Sequence, residues 1–135
     1  MSVSCSIVHR LSPSAEGAYA DMRELLKHQE PLANCYFADN DLIAAGAIKA
    51  FLEVGYCVPQ DIAVVGFDNI PICIYTNPLL TTIHVPNQYM GQTAVRMLHT
   101  LIGGEEELPI KIEIAAVLKK KKLLKEDIGF LIFSV

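Results

Sequence analysis

The sequence has little of what proteins use to hold nucleic acid, metals or membranes. Charged residues make up only 19% of its 135 residues, and the formal net charge is −4. Phosphate binding needs clustered Lys and Arg. The one such cluster is Lys119, Lys120, Lys121, Lys122 and Lys125, so DNA binding by this chain alone is not expected. The four cysteines (Cys5, Cys35, Cys57, Cys73) and four histidines (His9, His28, His84, His99) are scattered, with no C-x-x-C pair and no zinc-ligand spacing. Neither a metal nor a cofactor is expected, and a reducing cytoplasm fits unpaired thiols. Cys35 lies in an apolar run, where a buried free thiol is the ordinary reading. No amino-terminal stretch has the basic start, apolar middle and small-residue cleavage site of a signal peptide. No apolar run reaches the roughly 18–20 residues needed to span a bilayer. The chain is expected to be cytoplasmic, with no membrane contact.

Enzyme signatures are missing as well. There is no G-x-S-x-G, no P-loop, no G-x-G-x-x-G and no H-E-x-x-H. Asp39 and Asp68 could in principle form a general acid–base pair, but no nucleophile or metal motif accompanies them. Binding is the simpler reading, and no enzyme is expected.

What is present is apolar sequence, 52% of the chain, in alternating strand and helix patterns. Ser12-Pro13-Ser14 offers helix-start chemistry, and Ala18, Met22, Leu25 and Leu26 recur at helical spacing over residues 15–29. A short strand is expected at 6–9 and another at 33–38. Asp39-Asn40-Asp41 supplies cap residues for a helix over 42–54, apolar nearly all round except for Lys49 and Glu53. Such a helix needs cover on more than one side, and a subunit partner is a candidate for the second cover. Gly55 is placed to end it. Ile62-Ala63-Val64-Val65 has no polar alternation, as expected of a strand buried on both faces of a parallel sheet. A loop with Pro71 and Pro78 leads to a strand over 81–85. Asn87 is placed to cap a third helix, whose apolar face is Met90, Ala94, Met97, Leu98 and Leu101, and which Gly103-Gly104 ends. The acidic turn from Glu105 to Glu107 precedes a strand expected over 110–118. The pattern predicts an α/β fold, a parallel sheet built from βαβ units with right-handed crossovers.

In an open parallel sheet, ligands bind beyond the carboxyl ends of the strands. Two strands here end in polar residues, Asp39-Asn40-Asp41 and Asp68-Asn69. Asp41 reads as a helix cap, Asn40 as cap or ligand contact, and Asp68 as a ligand contact, since a carboxylate just after a buried strand needs a partner. Phe37 and Phe67 are core residues or stacking platforms. Tyr75 and Thr76 line either a pocket or a subunit contact.

These segments, taken together, resemble the LacI family of bacterial transcription repressors. The likeness is carried by Phe37-Ala38-Asp39-Asn40-Asp41 with Ala44-Ala45-Gly46-Ala47, and by the run from Val58-Pro59-Gln60-Asp61 to Gly66-Phe67-Asp68-Asn69. Pro78-Leu79-Leu80-Thr81-Thr82-Ile83, Met90-Gly91-Gln92-Thr93-Ala94-Val95 and the upstream Glu16-Gly17-Ala18-Tyr19 continue it. It covers about residues 7–118. The resemblance implies the C-terminal half of a periplasmic-binding-protein-like type I fold, in which two lobes clasp a sugar, nucleoside or similar metabolite. It implies ligand contacts from Asp68 and the Asp39–Asn40 pair, with Phe37 near the pocket. It places Leu42, Ala45, Ile48, Tyr75 and Thr76 at a homodimer interface.

By the same resemblance residues 1–118 form a partial effector-binding domain, with 79–118 returning to the first lobe. Nothing in these residues corresponds to the helix-turn-helix head or hinge helix of family members, and residues 119–135 form a basic, then apolar, tail unlike theirs. The expected function is a repressor's effector-binding fragment, responsive to a small sugar or nucleoside-like metabolite. The alternative is a fragment of a periplasmic sugar-binding transport protein, against which the PLLTTI stretch and the missing signal peptide argue. The third helix would pack on a sheet largely absent from the sequence, so self-association is expected, with the apolar stretch 128–133 able to extend a sheet edge.

Overall fold

Ser14 opens the first helix, its hydroxyl accepting from the Gly17 amide at 3.1 Å in the computed structural model. The structure describes residues 7–104 and 110–121. Cys5, the start of the expected first strand at Ser6, the acidic turn, Lys122, Lys125 and the 128–133 stretch lie outside the described residues. Helix α1 (Ala15–Lys27) ends three residues before Pro31 is reached. Gln29, at φ 52°, closes it with bonds from Gln29 N to Leu26 O and from Glu30 N to Leu25 O, both 3.2 Å. This is the Schellman pattern, here with Gln at the left-handed position usually taken by Gly.

Strand β1 (Cys35–Phe37) leads to helix α2 (Asp41–Glu53), then strand β2 (Ala63–Asp68), a short 3-10 turn (Pro71–Ile74) and strand β3 (Thr81–His84). Helix α3 (Asn87–Ile102) and strand β4 (Val117–Lys119) follow. The strands lie in the order β1-β2-β3-β4. β1, β2 and β3 run parallel, as the βαβ pattern predicts, with Phe37 opposite Val65 and Asp68 opposite His84. β4 departs from that pattern by pairing antiparallel to β3, Ile83 opposite Leu118. The strand expected over 110–118 is reduced to this three-residue edge, and residues 7–10 form no strand.

The core lies between α2 and the sheet, where Met22, Ala47, Ile48, Phe51, Val64 and Leu80 meet. Apart from the single methyl of Ala47, each of these side chains contributes roughly 1.5–3 kcal/mol by leaving water. A second cover of α2 is α1 from the same chain. Gly46 is what lets the two helices approach: a Cβ there would stand 2.4 Å from the Ala15 carbonyl oxygen and 2.8 Å from the Tyr19 nitrogen. Ile48, expected at a dimer interface, is 2% exposed and belongs to this core. Gly55, at φ 94°, ends α2 as expected.

Cys35 is exposed because β1 is the edge strand of the described sheet, and the buried thiol is Cys73. Burial pushes the Cys73 thiol up to about 12, with the Asp41 carboxylate beside it adding to the shift. Asn87 does not cap α3. It is the first helical residue, while the capping position is Pro86, which offers no side-chain acceptor. No residue of α3 is buried, and Tyr89, Met90, Val95, Leu98, Leu101 and Ile102 are exposed.

Two outcomes follow from this packing. Gly46→Ala should lower the unfolding free energy by about 1–3 kcal/mol, since a backbone carbonyl cannot swing aside. Gly91→Ala, in α3 with nothing within 4 Å of an added Cβ, should be neutral or stabilise by up to about 1 kcal/mol. Denaturant titration of both variants checks the contrast, and equal destabilisation would refute the close α1–α2 approach. In alkylation mapped by mass spectrometry at mildly alkaline pH, Cys35 and Cys57 should label in the native protein and Cys73 only after unfolding, because the thiolate is the reactive form. The raised Cys73 value also has a sign. The unfolded thiol loses its proton first, so its contribution to stability is full below pH 9 and declines between 9 and about 12.

Candidate functional site

The parallel strands β1, β2 and β3 bring Asp39, Asp68 and His84 to one edge of the sheet. Phe37 and Phe67, on neighbouring strands just before the polar residues, meet edge to face with ring centroids 6.2 Å apart. Phe37 is 49% exposed, so one face of the pair is open to whatever occupies the edge. Asp39 is exposed and Asp68 is half-buried. Neither carboxylate has a hydrogen-bond or ion-pair partner among the described residues.

The chain turns sharply after β2. Asp68 and Asn69 both take positive φ, 103° and 60°, a region that Asn and Asp tolerate better than other non-glycine residues but that still gains from support by the surroundings. Those surroundings are a set of hydrogen bonds. The Asn69 amide donates to Thr82 Oγ1 at 3.3 Å, and the Asn69 side-chain nitrogen lies 3.2 Å from His84 Nδ1. The Ile70 amide donates to Asp41 Oδ2 at 2.8 Å, and the Thr82 hydroxyl donates to Asp41 Oδ1 at 2.6 Å.

Asp41 is therefore not the helix cap. Asn40 caps α2, its Oδ1 accepting from the Ile43 amide at 2.8 Å. This leaves the Asn40 side-chain nitrogen for other contacts. Asp41, one residue further on, turns its carboxylate to the turn after β2 and to β3 instead, and is fully buried.

A concavity of about 530 Å³ opens beside β1, lined by His9, Arg10, Phe37 and Asp39 among others. Its floor is core, including Met22, Phe51 and Val64, so among the described residues it is an open flank of the β1 edge rather than an enclosed cleft. Asp68 and Asn69 do not line it. The expected ligand residues are thus divided: Phe37 and Asp39 face this hollow, while Asp68 stands with Asn69 and His84 on the neighbouring turn. Asp41 was expected at this edge only as a helix cap, and His84 was not assigned to it from sequence. The register Asp68 opposite His84 is what places His84 there.

The expected interface residues also separate. Leu42 and Ala45 are half-buried on α2, and Tyr75 is 77% exposed. Thr76 holds its own loop, accepting from the Leu80 amide at 2.9 Å and donating to the Cys73 carbonyl at 3.3 Å. Leu52, Ile74 and Leu79 are exposed apolar residues on the same elements. Among the described residues no group of His, Cys, Asp and Glu could hold a metal ion. No helix among them is long and apolar enough to cross a membrane.

Comparison with known proteins fits this geometry. Residues 2–121 match the family described as periplasmic binding protein-like domain. The chain is 39% identical over 107 residues to the HTH-type transcriptional repressor PurR of Yersinia enterocolitica, a match covering 79% of this chain and 31% of that protein. It spans about a third of the length of the curated relatives it matches. Among solved structures, a LacI family transcriptional regulator from Arthrobacter in complex with lactose superposes with a TM-score of 0.74 at 29% identity, over 85% of this chain and 43% of that one. A LacI family regulator from Enterococcus faecium with bound ribose gives 0.70 at 32% identity, over 85% and 43%. The Lac repressor bound to ONPG gives 0.74 at 30% identity, over 82% and 33%. The chain belongs to the periplasmic binding protein-like family, in the form found in the effector-binding domains of LacI-family regulators.

Proposed function

We propose that this chain is the effector-binding part of a LacI-type repressor, and that its sheet edge takes a small sugar or nucleoside-like metabolite. The observation that carries the reading is Asp68, a half-buried carboxylate with no partner among the described residues, held on a strained turn at the carboxyl edge of a parallel sheet. A half-buried carboxylate favours a donor-rich ligand such as a polyol or sugar hydroxyl pair. Phe37 supplies an exposed aromatic face for a sugar ring or base, with Asp39 and the Asn40 side-chain nitrogen beside it. Solved relatives in complex with lactose, ribose and cellobiose support the sugar class. The role is binding rather than catalysis, in keeping with relatives named as transcription regulators. It is exercised in the cytoplasm, without DNA contact by this chain itself. In this reading residues 1–118 are the partial effector domain, with 79–118 returning to the other lobe. The homodimer contact is made by Leu42 and Ala45 of α2 with Tyr75 and Thr76 of the following loop.

Two measurements test this reading. Calorimetric titration with lactose, ribose and cellobiose should show one of them binding, and Asp68→Ala should weaken that binding about tenfold or more while leaving the melting temperature within a few degrees. Binding that survives Asp68→Ala unchanged would remove Asp68 from the site. Light scattering should find a dimer or larger species, because α3 leaves Met90, Leu98, Leu101 and Ile102 exposed, and clustered exposed apolar side chains favour a protein partner. A compact monomer would argue against both the dimer contact and the return of 79–118 to a second lobe.

A further inference from the structure

We propose that Asp41 is the positioning residue of this edge: its buried carboxylate fixes the Asp68–Asn69 turn that presents Asp68 and locks that turn to β3. The proposal rests on the reading of Asp68 as a ligand contact. Three elements converge on one side chain. Asp41 starts α2, accepts the Ile70 amide just beyond the turn, and accepts the hydroxyl of Thr82 on β3. Thr82 Oγ1 accepts in turn from the Asn69 amide. Two consecutive amides after Asp68 are therefore held, one directly and one through a hydroxyl.

The turn needs such an anchor. Asp68, at φ 103°, lies outside the left-handed well that Asn69 occupies at 60°, so releasing the amides that follow would let it relax toward ordinary backbone. Relaxation at Asp68 would swing its carboxylate off the edge. Asp41 and Thr82 are both 0% exposed, so water cannot take over either role. Gly66 supplies the room: a Cβ there would lie 2.2 Å from Asp41 Oδ1. Because Asp68 opposes His84 in register, the same anchor ties the candidate ligand edge to the strand that runs directly into α3.

Asp41 and Thr82 touch no ligand in this scheme, so the test must separate positioning from general stability. Thr82→Val keeps shape and removes the hydroxyl, Thr82→Ser restores it, and Asp41→Asn leaves one acceptor oxygen where two are needed. Amide hydrogen exchange by NMR on the full chain, with calorimetry using ribose, lactose and cellobiose, provides the readouts. In Thr82→Val the Asn69 and Ile70 amides should exchange about tenfold faster or more, as expected from a lost charge-assisted bond. The Val64 amide should be unchanged. Thr82→Ser should exchange as the parent does. The sugar that binds the parent should bind about tenfold or more weakly to Thr82→Val and Asp41→Asn, and normally to Thr82→Ser.

Unchanged exchange at Asn69 and Ile70 in Thr82→Val would overturn the proposal. So would faster exchange with sugar affinity intact. If none of the three sugars binds the parent chain, the Asp68 reading fails for those sugars, and exchange alone then judges the anchor. If Asp41→Asn does not fold, the Thr82 pair still decides.

Discussion

A carboxylate buried without a cation is the constraint on which this architecture turns. Among the described residues Asp41 makes no ion pair, yet it is completely buried. Removing a carboxylate from water costs several kcal/mol after relaxation, so its surroundings must offset that cost in full. They do so with the Thr82 hydroxyl at 2.6 Å, the Ile70 amide at 2.8 Å and the positive end of the α2 dipole, in whose first turn Asp41 sits. Each contribution depends on an element being in place. If α2 shifts, the dipole is lost; if β3 shifts, the hydroxyl is lost. An uncompensated buried charge is so unfavourable that the Asp41 carboxylate couples the positions of α2, the turn after β2 and β3.

The opposite face of α2 is governed by sterics rather than charge. Gly46 brings α1 to within backbone contact of α2, and the Lys49 ammonium sits 4.4 Å over the Tyr19 ring while the Tyr19 hydroxyl donates to Glu53 at 2.6 Å. α1 and the sheet thus enclose α2 from two sides. Among the described residues α3 has no such enclosure, and none of its residues is buried. Among the described residues the packing is therefore concentrated round α2, and α3 stands outside it.

Much of this was legible in the residues, because the signals were local. Ser14 as a cap, Gly55 as a stop and the unbroken apolar run in β2 each act within a few residues of themselves. The alternation of strand and helix then dictates parallel pairing for β1 to β3. The failures share a different cause. Asp41 is compatible with capping from sequence, but its partner Thr82 lies 41 residues away, and no local pattern encodes that distance. Ile48 on an all-round apolar helix cannot be assigned to core or interface until the position of α1 is known. Cys35 reads as buried from its neighbours, yet it is exposed because its strand is at the edge of the described sheet. Sheet order, not composition, decided that outcome. The antiparallel β4 is of the same kind, a pairing set by tertiary closure over a segment of weak strand character. Of the site, Phe37, Asp39 and Asp68 were visible as polar or aromatic strand ends, whereas His84 required the register.

The division of the edge has a consequence for how it would hold a ligand. Binding sites for small molecules enclose most of the ligand surface, and a hollow floored by core beside β1 encloses one side only. On the proposed reading Phe37 and Asp39 meet the ligand from the hollow and Asp68 from the adjoining turn, so the two groups cooperate only while β1 and β2 keep their register. That register is fixed by the Phe37–Val65 pairing and by the bond from the Ala38 amide to the Val65 carbonyl at 2.8 Å. A rigid edge removes the entropic cost of arranging the contacts but cannot exclude water from the open side. Affinity in such a site is therefore limited by coverage rather than by organisation, and a second surface laid over the edge would strengthen binding without altering Asp68 at all. The anchor at Asp41 makes that possible: it holds the turn in its binding geometry before any cover arrives.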